Sequence, residues 1–432
     1  MSFSKLGLAP SLYSPLETMG YTQPTAVQSA SIPLILTGAD VLARAQTGTG
    51  KTAAFALPMI QRLVMRPHRA KSRLPLGLVL VPTRELALQV QRAFAKYGAA
   101  ARLRVAPIFG GVGMPPQIQA LRNGVDIVVA TPGRLIDHLQ RRTVDLSRVE
   151  MLVLDEADRM LDMGFAPALR GLLPVLPATR QTLLFSATLP DDVVRLSGEF
   201  TCNPQRIDVS RDQAVAPTIT HHVHPVDYDR KRALLVHVVT QAPASQALVF
   251  CKTKHGADRI GDLLERAAIH TGVIHGRKSQ SQRTRSLADF KAGRIRVLVA
   301  TDIAARGLDV AQLPLVVNFD LPLVAEDYVH RVGRTGRAGV PGHAVSLVTA
   351  EERPLLRQIQ KLLSTPLEHV TVPGFDVSDT RAPMGRPREH DGSTGRRNFV
   401  PSGPSRRFGR AGGGRFNERR PARRPSRSGA TG

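Results

Sequence analysis

Two short segments of this 432-residue chain have the residue types and spacing of a nucleoside-triphosphate site. The first, residues 45–52, is rich in glycine and threonine and directly precedes an apolar helical stretch. Glycines let the backbone approach a ligand closely, and the N–H groups of such a loop converge on phosphate oxygens. Lys51 is then placed to reach the terminal phosphates, and the Thr52 hydroxyl to bind Mg²⁺. We predict that the whole loop contacts the nucleotide: Ala45, Gln46, Thr47, Gly48, Thr49, Gly50, Lys51 and Thr52.

The second segment supplies two carboxylates. Asp155 and Glu156 directly follow the apolar run 151–154, where solvated surface acids are uncommon. Asp155 can hold Mg²⁺, and Glu156 can polarise the water that attacks the terminal phosphate. The two segments in this order predict an NTPase. The alternatives are a glycine-rich helix cap and a solvated acidic surface.

Composition indicates the partner. The net charge is +24 and the isoelectric point is about 11.2, which favours a polyanion such as nucleic acid over an acidic membrane surface. No apolar stretch approaches the ~20 residues of a membrane-spanning helix, and the first residues do not resemble a secretory signal. The two cysteines, Cys202 and Cys251, form no CxxC pair. We therefore expect a cytoplasmic protein without a membrane partner.

Short, continuously apolar runs alternate with helical stretches along the chain. Such runs are typical of buried parallel strands, and we predict an α/β fold with one parallel sheet in each half. The predicted strands are Leu78–Val81, Asp126–Ala130, Met151–Leu154, Thr182–Phe185, Ala247–Phe250, Gly272–Ile274, Val297–Ala300, Leu315–Asn318 and Ala344–Val348. Ligands of such sheets bind at the carboxyl ends of strands, where both segments described above are expected to lie.

Changes in composition predict the boundaries. We expect a first domain at residues 1–207, a linker at 208–218, a second domain at 219–372 and a disordered tail at 373–432. Residues 381–432 contain 14 arginines and 3 acidic residues, so this segment has a net charge of +11. Arginine pairs beside phenylalanines suit contacts with the phosphates and bases of a nucleic acid, and a merely solubilising tail is the alternative.

Further segments in the same order resemble the motifs of the DEAD-box RNA helicases. They are GYTQPTAVQ at 20–28, PTREL at 82–86, GG at 110–111, TPGR at 131–134, DEAD at 155–158, SAT at 186–188, LVFC at 248–251, QSQR at 280–283, ATDIAARGLD at 300–309 and HRVGRTGR at 330–337. The resemblance covers residues 1 to about 372, and the basic tail is similar to that of bacterial RhlE-type members. Ala26 departs from the usual proline of the first motif.

This resemblance implies tandem RecA-like domains that bind ATP between them. Gln28 would recognise adenine through its amide, and Phe3 would stack on the base. Gly307 and Asp309 would also contact the nucleotide. Catalysis would use Lys51, Asp155, Glu156 and two arginine fingers, Arg334 and Arg337, with Mg²⁺ held by Thr52 and Asp155.

The resemblance also implies residues for coupling and for RNA binding. Asp158, Ser186, Thr188 and His330 would couple the two domains. The RNA contacts would be to the backbone and independent of sequence. They would come from Thr83, Arg84, Gly110, Gly111, Thr131, Gly133, Arg134, Arg283 and Thr301.

We therefore expect an RNA-stimulated ATPase that locally and non-processively unwinds short duplexes and remodels ribonucleoproteins. Ribosome-assembly and RNA-decay complexes are compatible partners. Three alternatives remain: an ATP-gated RNA clamp with little unwinding, a translocating DNA helicase, and a structural RNA-binding protein with a vestigial nucleotide site.

Overall fold

The structure is a computed structural model. It describes residues 2–46, 48–65, 74–209, 219–242, 246–305, 308, 310, 312–336, 341–363 and 367–377, all of which lie within the compact unit Met1–Ser378. Most of the predicted linker and nearly all of the predicted tail fall outside these residues, so both remain predictions. No helix in the described part of the chain is long and apolar enough to cross a membrane.

Among the described residues, the first half forms a seven-stranded parallel sheet in the order β3-β4-β2-β5-β6-β1-β7. Its strands are β1 Val41–Arg44, β2 Gly77–Leu80, β3 Val105–Ile108, β4 Ile127–Ala130, β5 Met151–Asp155, β6 Gln181–Ser186 and β7 Gln205–Asp208. The central strands are buried along their whole length, which explains why they read as continuous apolar runs in the sequence.

The second half repeats this architecture, with seven described parallel strands in the order β10-β11-β9-β12-β13-β8-β14. The strands are β8 Ile219–Pro225, β9 Ala247–Phe250, β10 Thr271–Ile274, β11 Val297–Ala300, β12 Leu315–Asn318, β13 Gly342–Val348 and β14 Glu368–His369. The predicted α/β fold with two parallel sheets is thus confirmed.

Helices flank both sheets. In the first half they are α1 Pro10–Thr18, α2 Ala26–Leu36, α3 Lys51–Val64, α4 Arg84–Tyr97, α5 Met114–Arg122, α6 Pro132–Gln140, α7 Ala157–Asp162, α8 Ala166–Arg170 and α9 Asp191–Phe200. In the second half they are α10 Lys231–Gln241, α11 Lys254–Arg266, α12 Gln280–Lys291, α13 Asp302–Ala305, α14 Ala325–Val332 and α15 Arg353–Leu363.

The apolar cores belong to the halves separately. Of the five buried clusters formed by described residues, two contain only residues of the first sheet and its helices, and three contain only residues of the second. Each half therefore has its own hydrophobic core, and the contacts between the halves are of a different kind.

All nine predicted strands are present: three have the predicted bounds, and six differ by one or two residues at one or both ends. Five strands were not predicted: β1, β3, β7, β8 and β14. Four of these give a weak apolar signal because they are short, partly exposed or rich in histidine. β1 is buried but has only three apolar residues before Arg44.

Candidate nucleotide and RNA site

The predicted phosphate loop and carboxylates meet at one edge of the first sheet. β5, β6 and β1 are neighbours, so Asp155, Ser186 and Ala45 lie at adjacent carboxyl ends. The Ala45 N–H donates to the Ser186 carbonyl at 2.9 Å. The loop thus begins where the SAT segment begins, and a hydrogen bond fixes the two relative to each other.

The loop itself requires two of its glycines. Gly48 and Gly50 have φ of +82° and +90°, a region that side chains with a Cβ rarely adopt. The loop is closed by the Thr49 hydroxyl, which donates to the Gln46 carbonyl at 2.7 Å. The Lys51 ammonium is buried and makes no hydrogen bond to the described protein atoms. An unsatisfied buried cation at the start of a helix fits an anionic ligand. Thr47 lies outside the described residues.

The two carboxylates occupy different positions at the end of β5. Asp155 is buried, and burial raises its pKa to about 7, while the nearby Lys51 ammonium acts in the opposite direction. Its Oδ1 accepts the Glu156 N–H at 3.0 Å. Glu156 has φ of +55°, and its carboxylate lines the same cavity as Lys51 and Thr52. The hydroxyl and carboxylate oxygens of Thr52 and Asp155 are the ligand type that Mg²⁺ prefers, so this site fits the metal.

Gln28 connects its own helix to the phosphate loop. Its Oε1 accepts the Thr25 N–H at 2.9 Å, and its Nε2 donates to the Gly50 carbonyl at 3.1 Å. A Cβ on Gly50 would overlap this amide, so the position needs glycine for space as well as for φ. Each amide atom of Gln28 keeps one further hydrogen-bonding capacity. The residue also lines the cavity.

Phe3, which the resemblance places against the base, lies in the hydrophobic core of the first half. Its side chain is 5% exposed and belongs to the hydrophobic cluster that includes Leu6 and Leu12, and it does not line the cavity. Two aromatic residues line the cavity wall: Tyr21, which is 42% exposed, and the buried Tyr97. Burial raises the pKa of the neighbouring Tyr97, and a hydrogen bond with Tyr21 adds to this effect. Tyr21 is thus a second candidate for stacking on the base, and the role of Phe3 stays a prediction.

We predict that Tyr21→Ala raises the KM for ATP by about tenfold, because stacking of a base on an aromatic ring contributes about 1–3 kcal/mol. The matched variant is Phe3→Ala, which should leave this KM unchanged and lower the free energy of unfolding by about 3 kcal/mol. The measurements are ATPase titrations and denaturant unfolding. A raised KM in Phe3→Ala with an unchanged KM in Tyr21→Ala would assign the stacking to Phe3.

The DEAD and SAT segments are joined by a compact set of hydrogen bonds. Asp158 Oδ2 accepts from the N–H of Ala187 at 3.2 Å, and from the N–H and the hydroxyl of Thr188, each at 2.9 Å. The Asp158 N–H donates to the Ser186 hydroxyl at 3.3 Å. The predicted coupling residues Asp158, Ser186 and Thr188 are therefore brought together at the carboxyl ends of β5 and β6.

The fourth predicted coupling residue, His330, reaches this group through Arg159. Arg159 follows Asp158 on α7, and its guanidinium contacts both Asp327 and His330 on α14 of the second half. Arg159 and Asp327 side chains are only 7% and 15% exposed. Arg159 thus links α14 of the second half directly to α7, the helix that follows Glu156.

A second contact between the halves is formed by Arg283. Its Nη2 lies 2.9 Å from Glu85 Oε1, and the Gln280 amide donates to the same oxygen at 3.1 Å. Burial lowers the pKa of Arg283, and Glu85 opposes this shift. Arg283 was predicted to contact RNA, but in this structure it lies against Glu85 and on the cavity wall.

Arg334 places the second half at the nucleotide cavity. The cavity has a volume of about 430 Å³ and is lined by Lys51 and Glu156 from one half and by Arg334 from the other. Arg334 Nη1 donates to the Leu308 carbonyl at 2.6 Å. The remaining predicted residues of this motif region, Arg337, Gly307 and Asp309, lie outside the described residues.

The other predicted RNA-contact residues follow strand carboxyl ends. Thr83 caps α4 by accepting the Leu86 N–H at 3.3 Å. Gly111 has φ of +78°, and a Cβ there would overlap the Arg84 guanidinium. These residues come after four strands: Thr83 and Arg84 after β2, Gly110 and Gly111 after β3, Thr131, Gly133 and Arg134 after β4, and Thr301 after β11.

Several site residues were not predicted from the sequence. Tyr21 and Glu85 stand inside motif strings, and their exposure or partners could not be read from the string alone. Arg159 and Asp327 are ordinary charged residues in sequence, and only the approach of α7 to α14 gives them a role.

Comparison with known proteins agrees with this geometry. Residues 25–196 match the family model described as DEAD/DEAH box helicase, and residues 230–339 match the helicase conserved C-terminal domain. The chain is 43% identical over 381 residues to the ATP-dependent RNA helicase DeaD of Mycobacterium tuberculosis, covering 88% of this chain and 66% of that protein. It is 41% identical over 375 residues to the DEAD-box ATP-dependent RNA helicase CshA of Bacillus cereus, covering 87% and 70%.

Among solved structures, the chain is similar to Saccharomyces cerevisiae Dbp5 bound to RNA and ADP BeF3. The TM-score is 0.77 at 30% sequence identity, and the match covers 86% of this chain and 95% of the Dbp5 chain.

Proposed function

Because this chain belongs to the DEAD-box ATP-dependent RNA helicases, we propose that it couples RNA-stimulated ATP hydrolysis to local, non-processive separation of short RNA duplexes and to remodelling of ribonucleoproteins. One observation carries the proposal: a single cavity is lined by Lys51 and Glu156 from the first half and by Arg334 from the second. Hydrolysis then depends on the two halves being together, which is how RNA binding can control it.

Within this cavity each residue has a distinct task. The buried Lys51 ammonium would neutralise the terminal phosphates. Glu156 would accept a proton from the attacking water, and Arg334 would stabilise the charge that spreads over the transferred phosphoryl group. Thr52 and Asp155 would hold Mg²⁺, which would supply positive charge to offset the negative charge of the phosphates. Arg337 is proposed as a second finger on sequence alone.

Adenine would be recognised by Tyr21 and by the hydrogen-bonding capacity that the Gln28 amide does not use within the protein. With one lone pair and one hydrogen still unused, the amide can pair with adenine N6 and N7, whereas guanine presents a second acceptor there. Tyr21, held near Tyr97, would stack on the base. The hydrogen bond from Gln28 to the Gly50 carbonyl would connect adenine binding to the phosphate loop.

RNA would lie across the strand ends that carry the glycine and threonine residues described above. Backbone N–H groups and hydroxyls there suit phosphate and sugar contacts, which are independent of base sequence. Preference for RNA over DNA would come from the 2′-hydroxyl. We propose the cytoplasm as the location and ribosome-assembly or RNA-decay complexes as the setting, since unpaired cysteines suit a reducing compartment.

The test is ATP hydrolysis by the purified full-length chain without nucleic acid, with single-stranded RNA, and with single-stranded DNA of matched sequence. We expect strong stimulation by RNA alone. Equal stimulation by DNA would favour a general nucleic-acid helicase. No stimulation would reject the coupling and leave an RNA-binding protein with an independent nucleotide site.

A strand-separation assay distinguishes the main alternative. The expected result is ATP-dependent release of one strand from a short RNA duplex, with little release from a long one. An ATP-gated clamp would instead hydrolyse ATP and hold RNA for long periods while leaving the short duplex intact.

A further inference from the structure

The loop that carries Gly110 and Gly111 is held from both sides. This glycine loop, residues 109–113, joins β3 to α5. On one side, the Gln117 Nε2 donates to the Phe109 carbonyl at 3.0 Å. On the other, both terminal nitrogens of Arg134 donate to the Val112 carbonyl, each at 3.1 Å. Gly110 and Gly111 therefore lie between two carbonyl groups, those of Phe109 and Val112, and each of these accepts side-chain hydrogen bonds.

Gln117 is itself held by a buried histidine. His138 on α6 is 0% exposed, and its Nε2 lies 3.4 Å from Gln117 Oε1. Its Nδ1 lies 2.8 Å from the Thr143 hydroxyl. A continuous chain thus runs from Thr143 through His138 and Gln117 to the Phe109 carbonyl.

The chemistry of the partners fixes the direction of this chain. A carbonyl only accepts, so the Gln117 amide must turn its NH₂ to Phe109 and its Oε1 to His138. His138 then carries its proton on Nε2 and donates to Gln117. Burial lowers the pKa of His138, and the Arg134 charge adds to this, so the ring is neutral at neutral pH.

Both restraints originate from one helix. Arg134 and His138 are four residues apart, so they share a face of α6. Arg134 holds the glycine loop directly, and His138 holds it through Gln117. The same helix carries Gly133 and Arg134 at its first turn. Two of the proposed RNA-contact segments, the glycine loop and the start of α6, are thereby kept in a fixed relation.

We propose that Gln117 and His138 are positioning residues for RNA binding: they set the place of the glycine loop relative to α6 without touching RNA. This inference rests on the function proposed above. Loss of their hydrogen bonds would loosen the glycine loop and weaken RNA binding, while the nucleotide site on the other strands of the sheet would keep its geometry.

A matched pair of substitutions isolates the contact. His138→Gln can place its side-chain NH₂ where Nε2 stands and still donate to Gln117. His138→Asn is shorter and can reach Thr143 only. Both remove the imidazole, so a general loss of packing affects both. Gln117→Met keeps the length of the side chain and leaves the Phe109 carbonyl unpaired.

The measurements are the RNA concentration that gives half-maximal ATPase stimulation, kcat at saturating RNA, the KM for ATP and the melting temperature. His138→Asn and Gln117→Met should raise the half-maximal RNA concentration about five- to tenfold, the effect of one lost hydrogen bond, with kcat and the KM for ATP unchanged. His138→Gln should stay within about twofold of wild type.

Equal behaviour of His138→Gln and His138→Asn, or an unchanged RNA requirement in Gln117→Met, would overturn the positioning role. Wild-type protein that RNA does not stimulate in the same assay would reject the proposed function, and this inference with it. The two outcomes can be told apart, because failure of the positioning role can be observed only if RNA stimulates the ATPase activity of the wild-type protein.

Discussion

Glu156→Gln is expected to lower kcat for ATP hydrolysis by about 10²–10⁴-fold, the usual contribution of a positioned general base. Glutamine keeps the size of the side chain but cannot accept the proton of the attacking water. Binding of ATP and RNA should persist, because Lys51, Gln28 and the RNA-contact segments are unchanged. The measurements are single-turnover ATP hydrolysis and equilibrium binding of a nucleotide and of RNA.

The local backbone makes this variant a clean test. Glu156 sits at φ +55° immediately before α7, and its N–H is bonded to Asp155. None of these backbone features depends on the carboxylate of Glu156, which the substitution replaces. Glu17→Gln, on an exposed position of α1, makes the same charge change away from the cavity and should keep wild-type turnover. Wild-type hydrolysis by Glu156→Gln would show that another group activates the water.

Arg334→Ala is expected to reduce RNA-stimulated turnover by about 10³–10⁵-fold, the range measured for inserted arginines in phosphoryl transfer. The residue reaches the cavity from the second half, where its guanidinium also bonds the Leu308 carbonyl. Its charge acts mainly on the transition state, so ATP affinity should change far less than kcat. The measurement is steady-state ATPase at saturating RNA, together with nucleotide binding.

Two controls accompany this prediction. Arg357→Ala removes an exposed arginine from α15 of the same half and should leave turnover unchanged. Arg334→Lys keeps the charge without the planar fork and should recover only part of the rate. A decrease in RNA-stimulated turnover of less than tenfold in Arg334→Ala would assign the arginine-finger role to Arg337 alone.

The sequence predicted the interior of each sheet better than its margins. Central strands such as Val297–Ala300 are buried on both faces, so their composition alone identifies them. β3 alternates between buried and half-buried positions and contains Pro107, and β7 has two exposed residues. Their place in the sheet comes from pairing with a neighbour, which composition does not record.

The residues of the site also differ in how well the sequence alone predicts their position. That Lys51 and Glu156 line one cavity could be predicted, because each stands in a short run of residues at the carboxyl end of a strand. Phe3 and Tyr21 are both aromatic residues before Gln28, and only burial separates them. The pairing of Glu85 with Arg283 joins residues almost 200 positions apart, and neither motif string contains information about the other.

The separate hydrophobic cores have a thermodynamic consequence for the working cycle. Among the described residues, the halves meet through ion pairs and amides, such as Arg159 with Asp327 and Glu85 with Arg283, and no apolar cluster crosses between them. Separating the two halves would expose mainly polar groups to water and little apolar surface. We therefore expect a small heat-capacity change for this separation. The separation should also become easier as ionic strength rises, since screening weakens charged contacts once water can reach them.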